Sequence, residues 1–376
     1  MKTHIRMLAN IAVALSLTLA AIGIFGAARK VSSAAPNQGD SETAKYLKEF
    51  AAVEPIDTHA HVVNDDPVFV EMLRALHLHI LNILVVDRAN PPLKALEPQR
   101  GQSLAVDRAS DGHAVLCTTF DPYLVASTNS VNQAIQQLNA DFAQGAVAVK
   151  LWKNVGMEIK RPDGSFAMPD DALFQPIFRD IAAHHRTLVA HLAEPDSCWL
   201  PPDPDSPDSS YYQEHSEWYM YKHPDHPSKA VILAARDHLL ALNPSLRVVG
   251  AHLGSMETDV DQVALRFDKY PNFAVDTAAR VVYLMRQPRA KVRAFLIKYQ
   301  DRVLYGTDSG FGQGDDREAL NEWRTTYARD WRFFASGDTF EVENHTVHGL
   351  SLPREVLVKI FHGNAVRWIP GIIPSR

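Results

Sequence analysis

Two histidines one residue apart, His59 and His61, lie in the segment 55–62, with the sequence PIDTHAHV. Because successive side chains of a β-strand point to opposite faces, both rings would project from one face, roughly 6.5–7 Å apart along the strand. Imidazoles placed in this way can share one metal ion at about 2.0–2.1 Å each. The same pattern also occurs by chance, with both rings serving as hydrogen-bonded polar groups. The pair therefore predicts a metal site only if further ligands arrive on later strands.

Further ionisable side chains follow four later apolar runs, each at the point where the run ends. Lys150 follows VAV, His191 follows LVA, His252 follows VVGA, and Asp308 follows LYGT. A group of this kind directly after buried residues is costly to bury without a partner. A lone histidine at a strand end is usually a structural, hydrogen-bonded residue. Five strand ends that carry such groups, counting the first, together predict a metal centre.

The elements that must position these groups alternate regularly. Short apolar runs suited to buried parallel strands are followed by segments of helical periodicity. The predicted strands are 55–62, 78–87, 114–121, 146–152, 187–193, 246–254, 273–279 and 303–308. The predicted helices are 68–77, 131–144, 170–185, 228–242, 259–270, 289–300 and 316–335, followed by a final amphipathic helix over 353–368. The link from 88 to 113 is less regular.

Eight strand–helix repeats predict an α/β fold, a (β/α)8 TIM barrel with a long loop insertion after strand five. A doubly wound open sheet is the alternative. The positions of the ionisable groups favour the barrel, because barrel enzymes carry their chemistry at the C-terminal ends of the strands.

The beginning of the chain differs from the rest. It has a basic start (MKTHIR), an uncharged apolar run from Ile11 to Gly26, and small residues after it. This pattern predicts a signal peptide and processed segment over 1–35, an N-terminal linker over 36–54 and the barrel domain over 55–372. The protein would then be exported, to the periplasm or outside the cell. An uncleaved membrane anchor is the alternative, but the run is short for a spanning helix of roughly 20 residues.

Charge and cysteine content limit the classes of partner. The chain has 38 Lys and Arg and 44 Asp and Glu, and four of the basic residues precede residue 36. The mature chain would carry a net charge near −10, which disfavours nucleic acid and anionic membranes as partners. We expect a small-molecule substrate, no stable membrane span after signal cleavage, and leave a homo-oligomer open. Cys117 and Cys198 are the only cysteines and could pair at most once.

With these residues identified, the sequence resembles the amidohydrolase superfamily, specifically its amidohydrolase-related (type 2) branch of metal-dependent hydrolases. The resemblance covers about 55–370. It is carried by the motifs DTHAH, VKLWKN, AHLAEP, GAHLGS and LYGTD, and by the closing segment LPREVLVKIFHGNAVRW. It implies a distorted (β/α)8 barrel that holds one or two divalent metals, usually zinc, with manganese as another choice.

By position, the resemblance implies a set of metal-site residues: His59, His61, Lys150, His191, His252 and Asp308. In binuclear members the lysine of strand four is carboxylated and bridges two ions. In mononuclear members no lysine is used, and His252 would contact the water or act as acid/base. An unmodified lysine cation beside a divalent metal would be repelled. Whether Lys150 is a ligand stays open at this point.

These ligands imply a hydrolase that cleaves an amide, lactone or ester bond of a small molecule. Metal binding lowers the pKa of water to around 7, and Asp308, helped by His252, would move the proton. A non-oxidative decarboxylase of the same branch is the alternative. A binding protein on a decayed barrel is disfavoured, because every expected ligand is present.

Three further charged side chains are placed where they could contact the substrate. We expect Arg280, Lys153 and Glu194 to be substrate-binding, and Arg280 could form a two-pronged pair with a carboxylate. An ion pair between Arg280 and a loop acid is an equal alternative. The polar and aromatic insertion 195–227 predicts a lid. Its histidines (His215, His223 and His226) lack the spacing of a second metal site.

Overall fold

The structure is a computed structural model that describes residues 38–87, 96–124, 128–312 and 316–374. The predicted signal peptide and processed segment lies outside these residues. Within them, no helix combines the length and the apolar character that a membrane span requires.

A sheet of parallel strands forms the centre of the fold, and it confirms the predicted barrel. Its strands are β1 (Ile56–Val62), β2 (His79–Ile83), β3 (Ala114–Thr119), β4 (Ala148–Leu151), β5 (Thr187–Ala190), β6 (Arg247–Gly250), β7 (Phe273–Asp276), β8 (Val303–Leu304) and β9 (Ser309–Phe311). They pair in the order β8-β7-β6-β5-β4-β3-β2-β1-β9. From β1 to β8 each strand pairs with its neighbour in sequence, and β9 pairs with β1, as closure of a barrel requires.

The barrel closes through a divided eighth strand. Only β8, which pairs with β7, lies in the stretch 303–308 predicted as the eighth strand, whereas β9 begins just after that stretch and pairs with β1. Between these two pieces, Thr58 donates its N–H to the carbonyl of Tyr305 at 2.9 Å, and Asp308 donates its N–H to the carbonyl of His59 at 2.8 Å. The closure is therefore distorted at the residues that carry Asp308.

Helices follow the strands on the outside of the barrel. They are α1 (Gln38–Ala51), α2 (Pro67–Ala75), α3 (Leu96–Ala109), α4 (Thr128–Ala143), α5 (Asn154–Met157), α6 (Gln175–Ala183), α7 (Ser209–Glu214), α8 (Lys229–Leu242), α9 (Ala251–Gly254), α10 (Val260–Lys269), α11 (Val281–Met285), α12 (Arg289–Lys298), α13 (Asp316–Ala335), α14 (Arg354–Val358) and α15 (Asn364–Trp368). A π turn, Lys359–Gly363, joins the last two. The irregular link after strand two contains α3, and a hairpin of β10 (Thr339–Val342) and β11 (His345–His348) was not predicted.

The segment assigned to a linker contains α1, which packs against α13. Phe50 stacks on Tyr327 with ring centroids 4.8 Å apart, and Trp331 donates its indole N–H to Glu49 at 3.1 Å. Phe50 is fully buried. From Gln38 onward this segment is therefore part of the packed domain, a role that its polar, small residues did not indicate.

The insertion after strand five folds into α7 and three 3₁₀ turns (Asp196–Trp199, Ser216–Trp218 and Met220–Lys222). Tyr212, Trp218 and Met220 are buried and belong to the main hydrophobic core. The insertion is thus a packed cover on the barrel rather than an extended loop. We call residues 195–227 the lid.

The two cysteines are both free and fully buried, Cys117 in β3 and Cys198 in the lid. Burial raises the pKa of each thiol to about 12. The reactive form of a thiol is the thiolate, so both side chains are inert in the folded protein.

We predict that a colorimetric thiol reagent at neutral pH will not react with the folded protein. After denaturation without reductant, it should titrate both thiols of each chain. A denatured sample that yields no thiol would show a disulfide and contradict the structure.

Candidate active site and metal centre

A cavity of about 830 Å³ opens at the C-terminal ends of the barrel strands. Every predicted site residue lines it: His59, His61, Lys150, Lys153, His191, Glu194, His252, Arg280 and Asp308. The strand ends thus converge as the barrel prediction requires.

The first and eighth strands bring three potential ligands within 4.8 Å of one another, namely His59, His61 and Asp308. The Oδ1 atom of Asp308 lies 3.4 Å from Nε2 of His59 and 3.2 Å from Nε2 of His61. Among the described residues, this group is the one dense enough in His, Cys, Asp or Glu to suggest a metal ion. The lid histidines form no such group.

Acceptors behind the rings fix how the histidines face the cavity. Nδ1 of His59 lies 3.0 Å from Asp276 Oδ2, Nδ1 of His61 lies 2.9 Å from the carbonyl of Ile83, and Nδ1 of His252 lies 2.9 Å from the carbonyl of Ala278. Each acceptor calls for a proton on Nδ1. The lone pair of each neutral ring is then on Nε2, the atom that a metal would use.

Asp276 is the functional residue that sequence reasoning missed. It is fully buried at the end of β7. Its Oδ2 receives the His59 ring, and its Oδ1 accepts the N–H of His252 at 2.8 Å and that of Ala278 at 3.1 Å. Although burial raises the pKa of Asp276, His59 and the His252 N–H bring it below its ordinary value. An ionisable group directly after the apolar run FAV was the signal that could have found it.

Two further histidines complete the inner wall. The ring of His252 lies 4.8 Å from that of His59 and 4.1 Å from that of His191, measured between centroids. Nε2 of His191 is buried and has no hydrogen-bond partner among the described residues. A buried polar atom without a partner is costly, and a metal ion would satisfy it.

Burial favours the neutral form of these rings. It lowers the pKa of His59, an effect that the nearby Lys150 reinforces. It holds the pKa of both His191 and His252 well below the usual range. Neutral imidazoles are the metal-binding form.

Lys150 lies against the same wall, almost completely buried. Its Nζ is 2.9 Å from Nε2 of His59, and because Nδ1 of that ring faces Asp276, the lysine is the donor. Burial lowers the pKa of Lys150. The lysine therefore occupies the lone pair of His59 that a metal would need.

The donor set fits a divalent metal. Neutral imidazole nitrogens and one carboxylate are ligands that zinc and similar ions prefer, and the unpartnered Nε2 of His191 faces a site that lacks an acceptor or donor for it. His59, His61 and Asp308 would hold the ion at the β1–β9 seam, with His252 beside His59 and His191 beside His252.

The three predicted substrate-binding residues form two separate ion pairs. Lys153 and Glu194 are buried and form an ion pair with each other. Arg280 is 7 % exposed and lies 3.6 Å from Asp208 of the lid. The loop ion pair considered for Arg280 is thus present, although its contact is long for a hydrogen bond.

Comparison with known proteins agrees with this architecture. Residues 56–370 match the model of a protein family described as amidohydrolase. No curated protein sequence matches the chain significantly.

Several solved structures are similar in fold. A 2,6-dihydroxybenzoate decarboxylase from Rhizobium is 15% identical, with 84% of this chain and 98% of that chain covered and a TM-score of 0.47. A putative 2-pyrone-4,6-dicarboxylic acid hydrolase from Pseudomonas putida is 13% identical, with 85% and 98% covered and a TM-score of 0.49. A manganese-bound dihydroxybenzoic acid decarboxylase from Polaromonas sp. JS666 is 13% identical, with 84% and 96% covered and a TM-score of 0.49. These likenesses are too distant to carry an argument about the reaction.

We predict that Asp276→Asn weakens metal binding by about 10–100-fold, the usual effect of losing a residue that orients a histidine ligand. Asparagine offers one oxygen and cannot serve both the His59 ring and the backbone N–H groups. A zinc titration against a competing chelator measures the affinity. The control is Asp330→Asn, another buried carboxylate, which contacts Tyr305 at 3.0 Å and no histidine. Native affinity in Asp276→Asn would contradict the assignment.

Proposed function

The chain belongs to the amidohydrolase family of metal-dependent enzymes, and we propose that it is a hydrolase that cleaves an amide, lactone or ester bond of a small molecule. The proposal goes beyond family membership, because the family contains more than one reaction type.

The observation that carries the proposal is the position of Lys150. Its Nζ lies 2.9 Å from the metal-facing nitrogen of His59. As a free amine, it competes with a metal for that nitrogen, and as a cation it repels the metal. Reaction of the neutral amine with carbon dioxide forms an N–C bond and releases one proton. The product is a carbamate, whose oxygens are ligands rather than competitors.

A carboxylated Lys150 makes the donor set large enough for two ions. His59, His61 and Asp308 would hold one ion, His191 and His252 the other, and the carbamate would lie between them. Bound divalent ions lower the pKa of water and polarise a substrate carbonyl. A site with two ions suits hydrolysis, in which an attacking and a leaving oxygen or nitrogen both need stabilisation.

Asp308 is the proposed proton carrier. Its carboxylate faces the cavity and lies within 3.4 Å of Nε2 of both histidines of the first strand. From there it would accept the proton of the attacking water and return it to the leaving group, which is general acid–base catalysis. If only one ion is bound and His252 is not a ligand, its Nε2 would assist by accepting a hydrogen bond from the attacking water.

Arg280 is proposed to bind an anionic group of the substrate. It lines the cavity, and its Nη1 donates to the carbonyl of Ala279 at 2.9 Å, which leaves other N–H groups of its fork for a ligand. Lys153 and Glu194 pair with each other, so we propose that they contribute indirectly to substrate binding.

A non-oxidative decarboxylase is the second candidate. The observation that favours it is the compact trio of His59, His61 and Asp308, which could serve a single ion without Lys150. Release of labelled carbon dioxide from an aromatic or enoic acid, with one ion per chain, would select this reaction.

The remaining assignments are proposals as well. We propose zinc as the native metal, with manganese as the alternative, because imidazole and carboxylate ligands suit both. Export stays a prediction, since the segment that would direct it lies outside the described residues. A homo-oligomer also stays a prediction.

We predict that Lys150→Met lowers the metal content from two ions per chain to one and abolishes most hydrolysis. The native protein should need bicarbonate for full reconstitution after metal removal, because the carbamate must form again. Metal analysis by mass spectrometry measures both effects. Lys153→Met is the matched control for metal content alone, since it removes a cavity lysine whose hydrogen bonds go to Glu194 and Tyr211 and not to a histidine. An unchanged metal content in Lys150→Met would contradict a bridging role.

We predict that Asp308→Asn lowers kcat by about 10²-fold or more, the usual contribution of a positioned acid/base, while the thermal unfolding curve stays near that of the native protein. The double variant His59→Ala with His61→Ala should lose metal binding and all turnover. Glu322→Gln, which changes a cavity carboxylate that is not part of the group of potential metal ligands, serves as the control. Assays with a panel of lactones, N-acyl amino acids and esters test these outcomes, and full activity of Asp308→Asn would disprove the role.

A further inference from the structure

The lid carries one hydroxyl group into the metal-site cavity, that of Tyr211. This residue lies on α7 and lines the same cavity as His59 and Asp308. The start of α7 is fixed by Asp208, which accepts hydrogen bonds from Tyr283 on the barrel and from Ser197 at 2.9 Å. The position of Tyr211 is therefore set by contacts between the lid and the barrel.

The oxygen of Tyr211 accepts a hydrogen bond from a buried cation. Nζ of Lys153 lies 2.6 Å from this oxygen and also donates to Glu194. The same ammonium group lies over the rings of Trp218 at 4.6 Å and Trp152 at 5.5 Å. Lys153 is 2 % exposed, so its charge acts on the hydroxyl with little screening by water.

The proton of the Tyr211 hydroxyl has no acceptor among the described residues. Since Lys153 occupies one side of the oxygen, the O–H bond is left for the cavity. Burial raises the pKa of Tyr211 to about 12, so the group stays protonated at neutral pH. A hydroxyl that accepts a hydrogen bond from a cation is also a stronger donor, because successive hydrogen bonds polarise one another.

The pair of Tyr211 and Lys153 is connected to the metal centre through one further contact, made by Glu194. Oε1 of Glu194, the partner of Lys153, lies 4.0 Å from the unpartnered Nε2 of His191. Tyr211 lines the cavity from the lid, and the candidate metal ligands line the same cavity from the barrel strands. No group on those strands is a neutral hydroxyl donor in this cavity, within the residues described.

We propose that Tyr211 is a catalytic residue that donates a hydrogen bond to the oxyanion formed when the substrate carbonyl is attacked, with Lys153 as the residue that positions and polarises it. The inference rests on the proposed hydrolysis. It adds a preorganised donor aimed at developing negative charge, the arrangement that contributes most in acyl transfer.

The test compares Tyr211→Phe with Tyr212→Phe. Both variants remove one tyrosine hydroxyl from α7, but Tyr212 stacks on Tyr219 inside the lid at 5.2 Å and does not line the metal-site cavity. In Tyr211→Phe we expect kcat to fall by about 10²-fold, the effect of losing one oxyanion donor, with KM and metal content unchanged. In Tyr212→Phe kcat should stay near the native value.

A second measurement needs no turnover. Methylphosphonate carries tetrahedral anionic oxygens and serves as the probe, with its affinity for the metal-loaded protein measured by calorimetry. We expect Tyr211→Phe to weaken this binding about tenfold or more, as for loss of a hydrogen bond to a charged group, and Tyr212→Phe to leave it unchanged.

The two measurements separate this inference from the proposed function. If the native protein hydrolyses members of the panel but Tyr211→Phe retains native kcat and native phosphonate affinity, the inference is overturned and the hydrolase stands. If the native protein hydrolyses none of them while Tyr211→Phe still loses phosphonate affinity, the hydrogen bond from Tyr211 to a bound anion stands and the hydrolase is overturned. Equal losses in both variants would show a general disturbance of the lid and would also overturn the inference.

Discussion

The seam between the first and the last barrel strand depends on one buried carboxylate, Asp57. It accepts hydrogen bonds from the N–H of His59 at 3.0 Å, from the N–H and hydroxyl of Thr307 at 3.0 and 2.6 Å, and from the hydroxyl of Tyr327 at 2.9 Å. Burial raises the pKa of Asp57 to about 7, which measures how costly its charge is there. Four donors offset that cost. They lock β1, the divided eighth strand and α13 together, and so bring Asp308 beside the two histidines.

Much of this arrangement follows from the sequence by one rule, that parallel strands present their C-terminal ends at the same edge. Apolar runs identify the strands, and the residue after each run identifies a candidate ligand. His191, His252 and Asp308 were all found in this way, whereas His59 was found from its spacing to His61. The rule works because a buried strand tolerates an ionisable group only where it emerges from the core. The same rule applies to Asp276, which directly follows an apolar run. The role of Asp276, however, comes from its contact with His59, 217 residues away in the sequence, and no local pattern indicates that contact.

Backbone conformation at the strand ends was beyond sequence reasoning. His252 and Asp308 have φ values of +60° and +68°, and Leu253, Ser255 and Ala279 also lie in the left-handed region. Such conformations cost about 1–3 kcal/mol each for residues other than glycine and persist only where surrounding contacts enforce them. Here the enforcing contacts are long-range, such as the bond from the Asp308 N–H to His59. Propensity alone predicts continuous strands, and the chain instead bends there toward the cavity.

The attachment of the lid has a consequence for the timing of the reaction cycle. Tyr211 joins the lid to the barrel through its hydrogen bond with Lys153, and it lines the metal-site cavity. Lifting the lid would therefore withdraw a polar group from the reacting region at the moment when bulk water enters. With the lid open, substrate could enter the cavity but would lack the hydrogen bond from Tyr211. With the lid closed, the site would be complete for the reaction but shielded from solvent. The chemical step and the exchange of substrate and product with solvent would then alternate. Release of product would require breaking the contact between Lys153 and Tyr211, so it is a candidate for the slow step of turnover.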